Sequence, residues 1–308
     1  MRKTTILVAL VALMQSCTSN LPDKGEVLSV INQVNTYWQT NNSPETRPFW
    51  DNAAYHTGNM EVYFLTGNEE QLAYTKRWAE YNKYCGATSN NKEEWRYSYG
   101  EHPQYVLFGD WQICFQTYAD LYNLSPDTMK IARAREVMEY QMSTPQNDYW
   151  WWADGLYMVM PVMTKMYHIT GNQLYLDKLY EYFKYAQSIM YDEETGLFFR
   201  DAKYVYPKHK SNNGSKDFWA RGDGWVLAGF AKVLKDLPKI KSGEYSLKSR
   251  YYVRVYQPVD NNYTKYRDPL LHTAVYIEDK GTGVKVKEVT QNFPELVEWN
   301  KYMDTLRV

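Results

Sequence analysis

The fold is decided by the stretch Asp148-Tyr-Trp-Trp-Trp-Ala-Asp-Gly-Leu-Tyr-Met-Val-Met-Pro161. Within it, Asp154 opens a run of apolar residues that is typical of a helix buried on most of its surface. An ionised carboxylate at such a place loses hydration, so it must either find hydrogen-bond donors or take up a proton near neutral pH. Asp154 is therefore a candidate general acid. The alternative is that Asp154 only caps the helix, because Asp directly before a helical run is a common start signal.

The rest of the chain repeats helix hairpins about every fifty residues. The segments 63–68 and 167–172 both end in Thr-Gly-Asn, which is typical of one helix ending and another beginning. The segment 121–127, with Ser-Pro-Asp, lies midway between them. We predict about eight helices from apolar periodicity, near 25–40, 50–66, 69–84, 109–124, 127–142, 154–170, 172–190 and 219–236.

One helix of each pair is more apolar than the other. Residues 111–122 and 156–167 are rich in Trp, Met, Leu and Tyr, whereas residues 173–185 alternate with Lys, Asp and Glu. This contrast indicates an inner ring of helices surrounded by an outer ring. The predicted fold class is therefore all-α, an α/α toroid, in which the loops that enter the inner helices meet at one end.

Unusual residues lie in those loops. Asp110 and Trp111 follow one loop, Asp154 follows the three tryptophans, and Arg221 follows a long polar and aromatic segment, 196–209. Together these loops predict a cleft with two carboxyl groups, cations and many rings. Such a cleft suits a uronic-acid sugar, because rings stack on it, Arg binds its carboxylate and Asp moves a proton.

Composition excludes several other functions. Among 308 residues, 35 are basic and 36 acidic, so the net charge of -1 gives no electrostatic case for nucleic acid or acidic membrane as a partner. The sequence contains no zinc-type Cys/His cluster and no glycine-rich phosphate loop, so we predict no metal and no cofactor. Beyond Cys17, Cys85 and Cys114 either pair in an oxidising compartment or remain buried thiols.

The N-terminus is typical of an exported protein. A basic start is followed by the apolar run Thr4–Met14 and then by Cys17. This pattern resembles a bacterial lipoprotein signal, so we predict a signal and linker at 1–20, lipidation of Cys17 and membrane contact only through that anchor. The expected location is the cell envelope of a Gram-negative bacterium, in the periplasm or as an outer-membrane lipoprotein. The alternative is an ordinary signal peptide with a chance cysteine.

Two motifs carry a family resemblance. Trp152–Met158 with Pro161, and Trp219–Trp225, resemble the paired signatures of unsaturated rhamnogalacturonyl hydrolases, glycoside hydrolase family 105. The related unsaturated glucuronyl hydrolases of family 88 are similar, and the resemblance covers roughly 49 to 237. It implies an α/α barrel acting on pectin-lyase products, with Asp154 as general acid/base and Asp110 as a second acid. The predicted substrate-binding residues are Tyr149, Trp151, Trp152, Arg200, Trp219, Arg221, Trp225 and Trp111.

The resemblance also implies a reaction. The acid protonates C4 of a C4=C5 double bond, water adds at C5, and the resulting hemiketal rearranges until the glycosidic bond breaks. Apolar walls such as Trp151 and Trp152 are expected to keep Asp154 protonated, and the nearby negative charge of Asp110 is expected to act in the same direction.

Three of the other predicted site residues also have a purely structural interpretation. Asp110 is also explained as a helix cap, and Arg221 as a structural partner of Asp217 or Asp223. A tryptophan at helical spacing, such as Trp225, is more often a core residue than a sugar platform. Arg200 stands where many members of the resembled family have a histidine, so the set of residues that binds the carboxylate is expected to differ here.

The chain changes character after Pro238. Residues 246–257, 270–278 and 284–291 alternate as strands do, so we divide the chain into an α/α-barrel catalytic domain at 21–238 and an atypical, β-like tail at 239–308. We expect the barrel to be incomplete. Three accounts of the tail remain open: a small β appendage, a frameshifted or chimeric product, or a barrel closed by a partner chain.

The expected function is hydration of unsaturated galacturonyl residues at the non-reducing end of products of pectin or rhamnogalacturonan lyases, which releases that sugar. The first alternative is a catalytically inactive relative that binds carbohydrate or is defunct. A more distant one is a conventional glycosidase that uses Asp154 and Asp110 as a carboxylate pair.

Overall fold

The computed structural model describes residues 23–237. These divide into two separate units, residues 23–44 and residues 45–237. In the first unit, helix α1 (Lys24–Asn41) begins with a capping box. Asp23 accepts a hydrogen bond from the Glu26 backbone at 2.8 Å, and the Glu26 carboxylate accepts one from the Asp23 backbone at 3.1 Å. The predicted signal at 1–20, Cys17 and the predicted tail at 239–308 lie outside the described residues.

The described part of the second unit is mostly helical. Its helices are α2 (Trp50–Thr66), α3 (Glu69–Tyr81), α4 (Gly109–Gln112), α5 (Cys114–Leu124), α6 (Met129–Ser143), α7 (Ala153–Thr170), α8 (Leu174–Met190) and α9 (Ala220–Asp236). A 3-10 turn spans Lys92–Glu94, and strands β1 (Tyr191–Asp192) and β2 (Leu197–Phe198) form an antiparallel hairpin.

These elements follow the predicted pattern with two differences. The helix predicted at 109–124 is interrupted at Ile113, although the backbone there keeps helical angles. The hairpin between α8 and α9 is too short to give a strand pattern in the sequence, and it was not predicted.

Both Thr-Gly-Asn segments form the expected hairpin turns. Gly67 ends α2 at φ 68° and Gly171 ends α7 at φ 67°, which is the left-handed conformation that glycine adopts without strain. The next residue, Asn68 or Asn172, then accepts a backbone hydrogen bond from the first turn of the following helix. Each turn therefore joins two antiparallel neighbours.

The helices form an inner and an outer layer. Helix α5 packs against α2 and α7, and α7 packs against α9, while α3, α6 and α8 each lie outside their inner partner. Every residue of α7 from Gly155 to Met166 is buried. Gly229 allows α9 to approach α7 closely, because a Cβ there would lie 2.9 Å from the Leu156 carbonyl. The predicted α/α toroid arrangement of inner and outer helices is confirmed.

A proline lies in the middle of α7 and is compensated from the neighbouring helix. Pro161 has no N–H to give to the carbonyl of Tyr157, four residues earlier. The Gln116 side chain of α5 donates to that carbonyl at 2.8 Å and to the Met158 carbonyl at 3.0 Å. Gln116 thereby supplies the hydrogen bond that the proline removes.

Ion pairs tie the inner helices together at the ends away from their first turns. Lys165 of α7 lies 2.6 Å from Asp120 of α5 and 3.7 Å from Asp236 of α9. Glu61 of α2 pairs with Lys232 of α9 at 3.0 Å. The polar groups at the opposite end, where these helices begin, are left to form a site.

Cys85 and Cys114 are free thiols, which settles the question that the sequence left open. Within residues 23–237, no helix is both long enough and apolar enough to cross a membrane.

Candidate active site

Asp154 is the second residue of α7. The N-cap of that helix is Trp152, so the interpretation of Asp154 as a cap is wrong. Its Oδ1 atom is buried and has no hydrogen-bond partner among residues 23–237. Burial raises the pKa of Asp154 to about 6, against the opposing charges of Arg221 and Arg200. Asp154 can therefore gain and lose a proton near pH 6.

Asp110 occupies the equivalent position in α4, whose N-cap is Phe108, so it is not a cap either. Its side chain is buried, and its Oδ1 atom has no hydrogen-bond partner in the described part of the chain. Burial raises the pKa of Asp110 to about 8, and the negative charge of Asp154 adds to the effect. Between about pH 6 and pH 8, Asp154 is thus mainly ionised while Asp110 keeps its proton.

Two arginines lie near enough to Asp154 for their charges to lower its pKa. The Arg221 guanidinium is exposed and lies 4.6 Å from the centre of the Trp219 ring. Arg200, also exposed, lies 5.8 Å from the same ring, and its Nη1 donates to the Tyr204 hydroxyl at 3.1 Å. Both guanidiniums therefore lie close to the Trp219 ring.

The carboxylates proposed as structural partners of Arg221 are engaged elsewhere. Asp217 lies 2.6 Å from His209 Nε2, and Asp223 accepts a hydrogen bond from the Phe198 backbone at 2.8 Å. Among the ion pairs within residues 23–237, none involves Arg221 or Arg200. The structural interpretation of Arg221 is thus wrong, and both guanidiniums are available to an anionic ligand.

The structure separates the predicted aromatic residues into two groups. Trp111, Tyr149 and Trp152 are 8%, 2% and 6% exposed, and their rings pack against other side chains. Little of these three rings is exposed in this conformation, and their predicted part in substrate binding stays a prediction. The half-buried residues Trp151, Trp219 and Trp225 remain as candidate platforms.

Contacts across the inner layer hold Trp225 in place. Its ring centre lies 4.6 Å from that of Tyr157, one turn along α7 from Asp154. The Tyr157 hydroxyl shares a hydrogen bond of 2.7 Å with the hydroxyl of Thr57 on α2. Trp225 is therefore both a core residue on one face, as its helical spacing suggested, and a candidate contact on the other.

Three further residues belong to the site and were missed. Arg47 pairs with Glu101 at 2.5 Å and with Asp51 at 3.2 Å, and both acids help to raise the pKa of Asp110. Asp51 is the second residue of α2, the same position that Asp110 and Asp154 hold in their helices. That shared position was a usable signal for Asp51, whereas nothing in the sequence marks the pairing of Arg47.

No group of three His, Cys, Asp or Glu side chains within residues 23–237 is placed to hold a metal ion. The site that the structure shows consists of carboxyl groups, guanidiniums and rings.

Comparisons with known proteins agree with this geometry. The family model "Glycosyl Hydrolase Family 88" matches residues 24–266, and the chain belongs to that family. It is one of the two families that the sequence motifs resemble, and the match extends beyond both ends of the stretch 49–237.

The chain is also similar to individual proteins. It is 29% identical over 202 residues to an unsaturated 3S-rhamnoglycuronyl hydrolase of Formosa agariphila, which covers 61% of this chain and 51% of that protein. The chain thus spans about half the length of that curated relative.

Two solved structures are more similar. A glycosyl hydrolase family 88 protein from Bacteroides vulgatus has a TM-score of 0.73 and 49% identity, covering 92% of this chain and 86% of that one. A protein named "Polysaccharide Lyase" has a TM-score of 0.73 and 54% identity, covering 91% and 84%.

Proposed function

We propose that the protein is a glycosidase that hydrates the C4=C5 double bond of an unsaturated uronyl residue at the non-reducing end of an oligosaccharide. The observation that carries this proposal is the Asp154 carboxyl. Its Oδ1 atom is buried and has no hydrogen-bond partner within residues 23–237, and two arginines that form no ion pair in that part of the chain lower its pKa. Family membership supports the reaction type, and the rhamnoglycuronyl hydrolase relative supports the class of sugar.

In the proposed reaction, the arginines bind the substrate and Asp154 transfers protons. Arg221 and Arg200 bind the uronate carboxylate, which is conjugated to the double bond, and so align C4 and C5 with Asp154. Protonated Asp154 gives its proton to C4, and positive charge develops at C5, shared with the ring oxygen. The Asp154 carboxylate then removes a proton from the water that attacks C5. The hemiketal at C5 rearranges, and the glycosidic bond breaks.

The sequence predicted that the negative charge of Asp110 keeps Asp154 protonated, and we propose a different role for Asp110. Because its pKa is raised to about 8, it is neutral when Asp154 titrates, so it does not act as a nearby negative charge. A neutral carboxyl can instead donate a hydrogen bond to a sugar hydroxyl or to the Asp154 carboxylate.

For the substrate we propose galacturonyl products of pectin or rhamnogalacturonan lyases, as the motifs imply. The Formosa agariphila relative is named for 3S-rhamnoglycuronyl substrates, so the choice between these sugars is part of the test. We also propose that Cys17 is lipidated and that the protein works at the cell envelope, attached to the outer membrane or facing the periplasm.

A second candidate function is a polysaccharide lyase, favoured by the 54% identity to the solved protein of that name. A lyase creates the double bond that the proposed glycosidase removes, because it takes the C5 proton and expels the group on C4. Ionised Asp154 is the candidate base for that reaction, and the arginines would stabilise the charge that develops on the carboxylate.

Ultraviolet absorbance of the conjugated double bond separates these functions. Purified protein is incubated with unsaturated pectin and rhamnoglycuronyl disaccharides and, separately, with the intact polysaccharides. We expect absorbance to fall with one of the disaccharides, and not to fall for Asp154→Asn. Asp127→Asn, a conservative change at the exposed start of α6, serves as the matched control and should retain activity.

A rise in absorbance with the intact polysaccharide would establish the lyase instead. No change with any substrate, from folded protein, would refute both and favour the inactive, carbohydrate-binding interpretation.

A further inference from the structure

Trp152 lies between the two helices that carry the acids. Its indole covers Gly109, directly before Asp110, and Gly155, directly after Asp154. A Cβ atom at Gly109 would lie 2.9 Å from the Trp152 Cη2 atom, and one at Gly155 would lie 3.3 Å from its Cζ3 atom. The ring therefore packs against both first turns. A side chain at Gly109 would force a shift, and one at Gly155 would be a tight fit.

The backbone of Trp152 fixes a third part of the site. Trp152 forms an antiparallel bridge with Asp201, and the next amide, that of Ala153, donates to the Arg200 carbonyl at 2.8 Å. One short segment thus contacts the starts of α4 and α7 and the loop that bears Arg200.

We propose that Trp152 is a positioning residue, whose indole sets the separation of the Asp110 and Asp154 carboxyls and keeps water from the space between the two helix starts. The proposal rests on the proposed function for its catalytic meaning, since the spacing of the acids matters only if Asp154 moves a proton. It stands beside the predicted part of Trp152 in substrate binding, because little of the ring is exposed in this conformation.

The neighbouring Trp150 provides a matched comparison. Trp150 is 1% exposed and Trp152 is 6% exposed, so both are core tryptophans of similar burial. The Trp150 ring packs edge-on against Tyr182 of α8, with 5.3 Å between ring centres. Replacing either residue removes similar apolar packing, but only the Trp152 ring lies beside Gly109 and Gly155, so on this proposal only its replacement affects the two acids.

The contact with Gly109 allows a compensation experiment. Gly109→Ala pushes a methyl group against the outer edge of the indole and displaces either the ring or the start of α4. A phenylalanine at 152 lacks the outer indole atoms, so adding Trp152→Phe should relieve that clash. Since misplacing a catalytic group by about 1 Å can cost on the order of 100-fold, we expect Gly109→Ala to lower kcat by about that factor. The double variant should recover about tenfold, and the nearby Val159 side chain limits further recovery.

The direct test is titration of the aspartate carboxyls by carbon-13 NMR, in wild type, Trp152→Leu and Trp150→Leu, with Asp110→Asn and Asp154→Asn to assign the signals. We expect the pKa values of Asp110 and Asp154 to fall by about one unit or more towards ordinary values in Trp152→Leu, because water enters the space. Trp150→Leu should lower the melting temperature comparably and leave both pKa values unchanged.

Unchanged carboxyl titrations in a folded Trp152→Leu protein, or a double variant no better than Gly109→Ala alone, would overturn the proposal. Because the titration needs no substrate, an inactive wild type with the expected shifts would refute the proposed function and leave the positioning role standing.

Discussion

Asp110 and Asp154 are the second residues of two helices that pack together, and the charge of Asp154 contributes to raising the pKa of Asp110 to about 8. Burial and mutual repulsion both oppose ionising the two groups at once. Asp154, which the two arginines partly stabilise as a carboxylate, therefore loses its proton first. Near pH 6, Asp154 can therefore exchange a proton while Asp110 stays protonated.

The first prediction concerns pH. If Asp154 must be protonated to act on C4, kcat/KM falls tenfold per pH unit above about 6, the pKa of Asp154. Initial rates of absorbance loss between pH 4 and pH 9 measure this. A rate that stays constant up to pH 8 would show that another group supplies the proton.

The second prediction concerns Arg221 and Arg200. Both charges lower the pKa of Asp154, so Arg221→Gln and Arg200→Gln should move the falling limb of the pH profile to higher pH. Loss of a charge-assisted hydrogen bond to the uronate should also raise KM by roughly 10- to 100-fold. Arg135→Gln, at an exposed position on α6, is the matched control and should change neither quantity. An unshifted pH profile together with an unchanged KM would show that the uronate carboxylate of the substrate does not bind to these arginines.

The third prediction concerns the stability cost of Asp110. Its pKa in the folded protein is raised to about 8 from 3.8, so folding favours the protonated form, and stability is lost as pH rises from about 4 through 8. Asp110→Asn removes this dependence and should raise stability at pH 9 by a few kcal/mol, on the order expected for a shift of several units. At pH 4 the variant and the wild type should be nearly equal. Thermal unfolding of both proteins at pH 4 and pH 9 measures this stability difference. The same difference between variant and wild type at both pH values would argue against a raised pKa of Asp110.

The fourth prediction concerns Gln116 and Pro161. Gln116→Leu leaves the Tyr157 carbonyl buried without its donor and should cost roughly 1 to 3 kcal/mol of unfolding free energy. Pro161→Ala restores an N–H four residues after Tyr157, so the helix can supply that hydrogen bond itself. Gln116→Leu should therefore cost less in the Pro161→Ala background. Urea unfolding of the four proteins measures the coupling, and strictly additive effects would contradict it.

The sequence predicted the helices well because local signals agree. Apolar residues at helical spacing mark α7, and Gly67 and Gly171 mark the turns with a backbone conformation that other residues avoid. The break at Ile113 has no such signal, since its backbone angles are still helical. It depends on how α4 and α5 pack.

Asp110, Asp154 and Arg221 stay predictions as catalytic and binding residues, and the sequence did not indicate which of the predicted rings are buried. An acid at a helix start is common, and Asp154 stood out because it opens an apolar run in which a carboxylate loses hydration. Trp151 and Trp152 are identical neighbours in sequence, yet only Trp152 enters the space between two helices that are more than forty residues apart in the chain. Long-range packing, which the sequence does not display, decides which of them is buried.

The most direct test of the central claim is a time course by proton NMR that follows the vinylic H4 signal of an unsaturated uronyl disaccharide and the reducing-end signals of the released sugar. If Asp154 protonates C4, the vinylic signal disappears no later than the second sugar is released, and neither change occurs with Asp154→Asn. Release of the second sugar while the vinylic signal is still intact would contradict hydration and point to a conventional glycosidase with a pair of carboxylates.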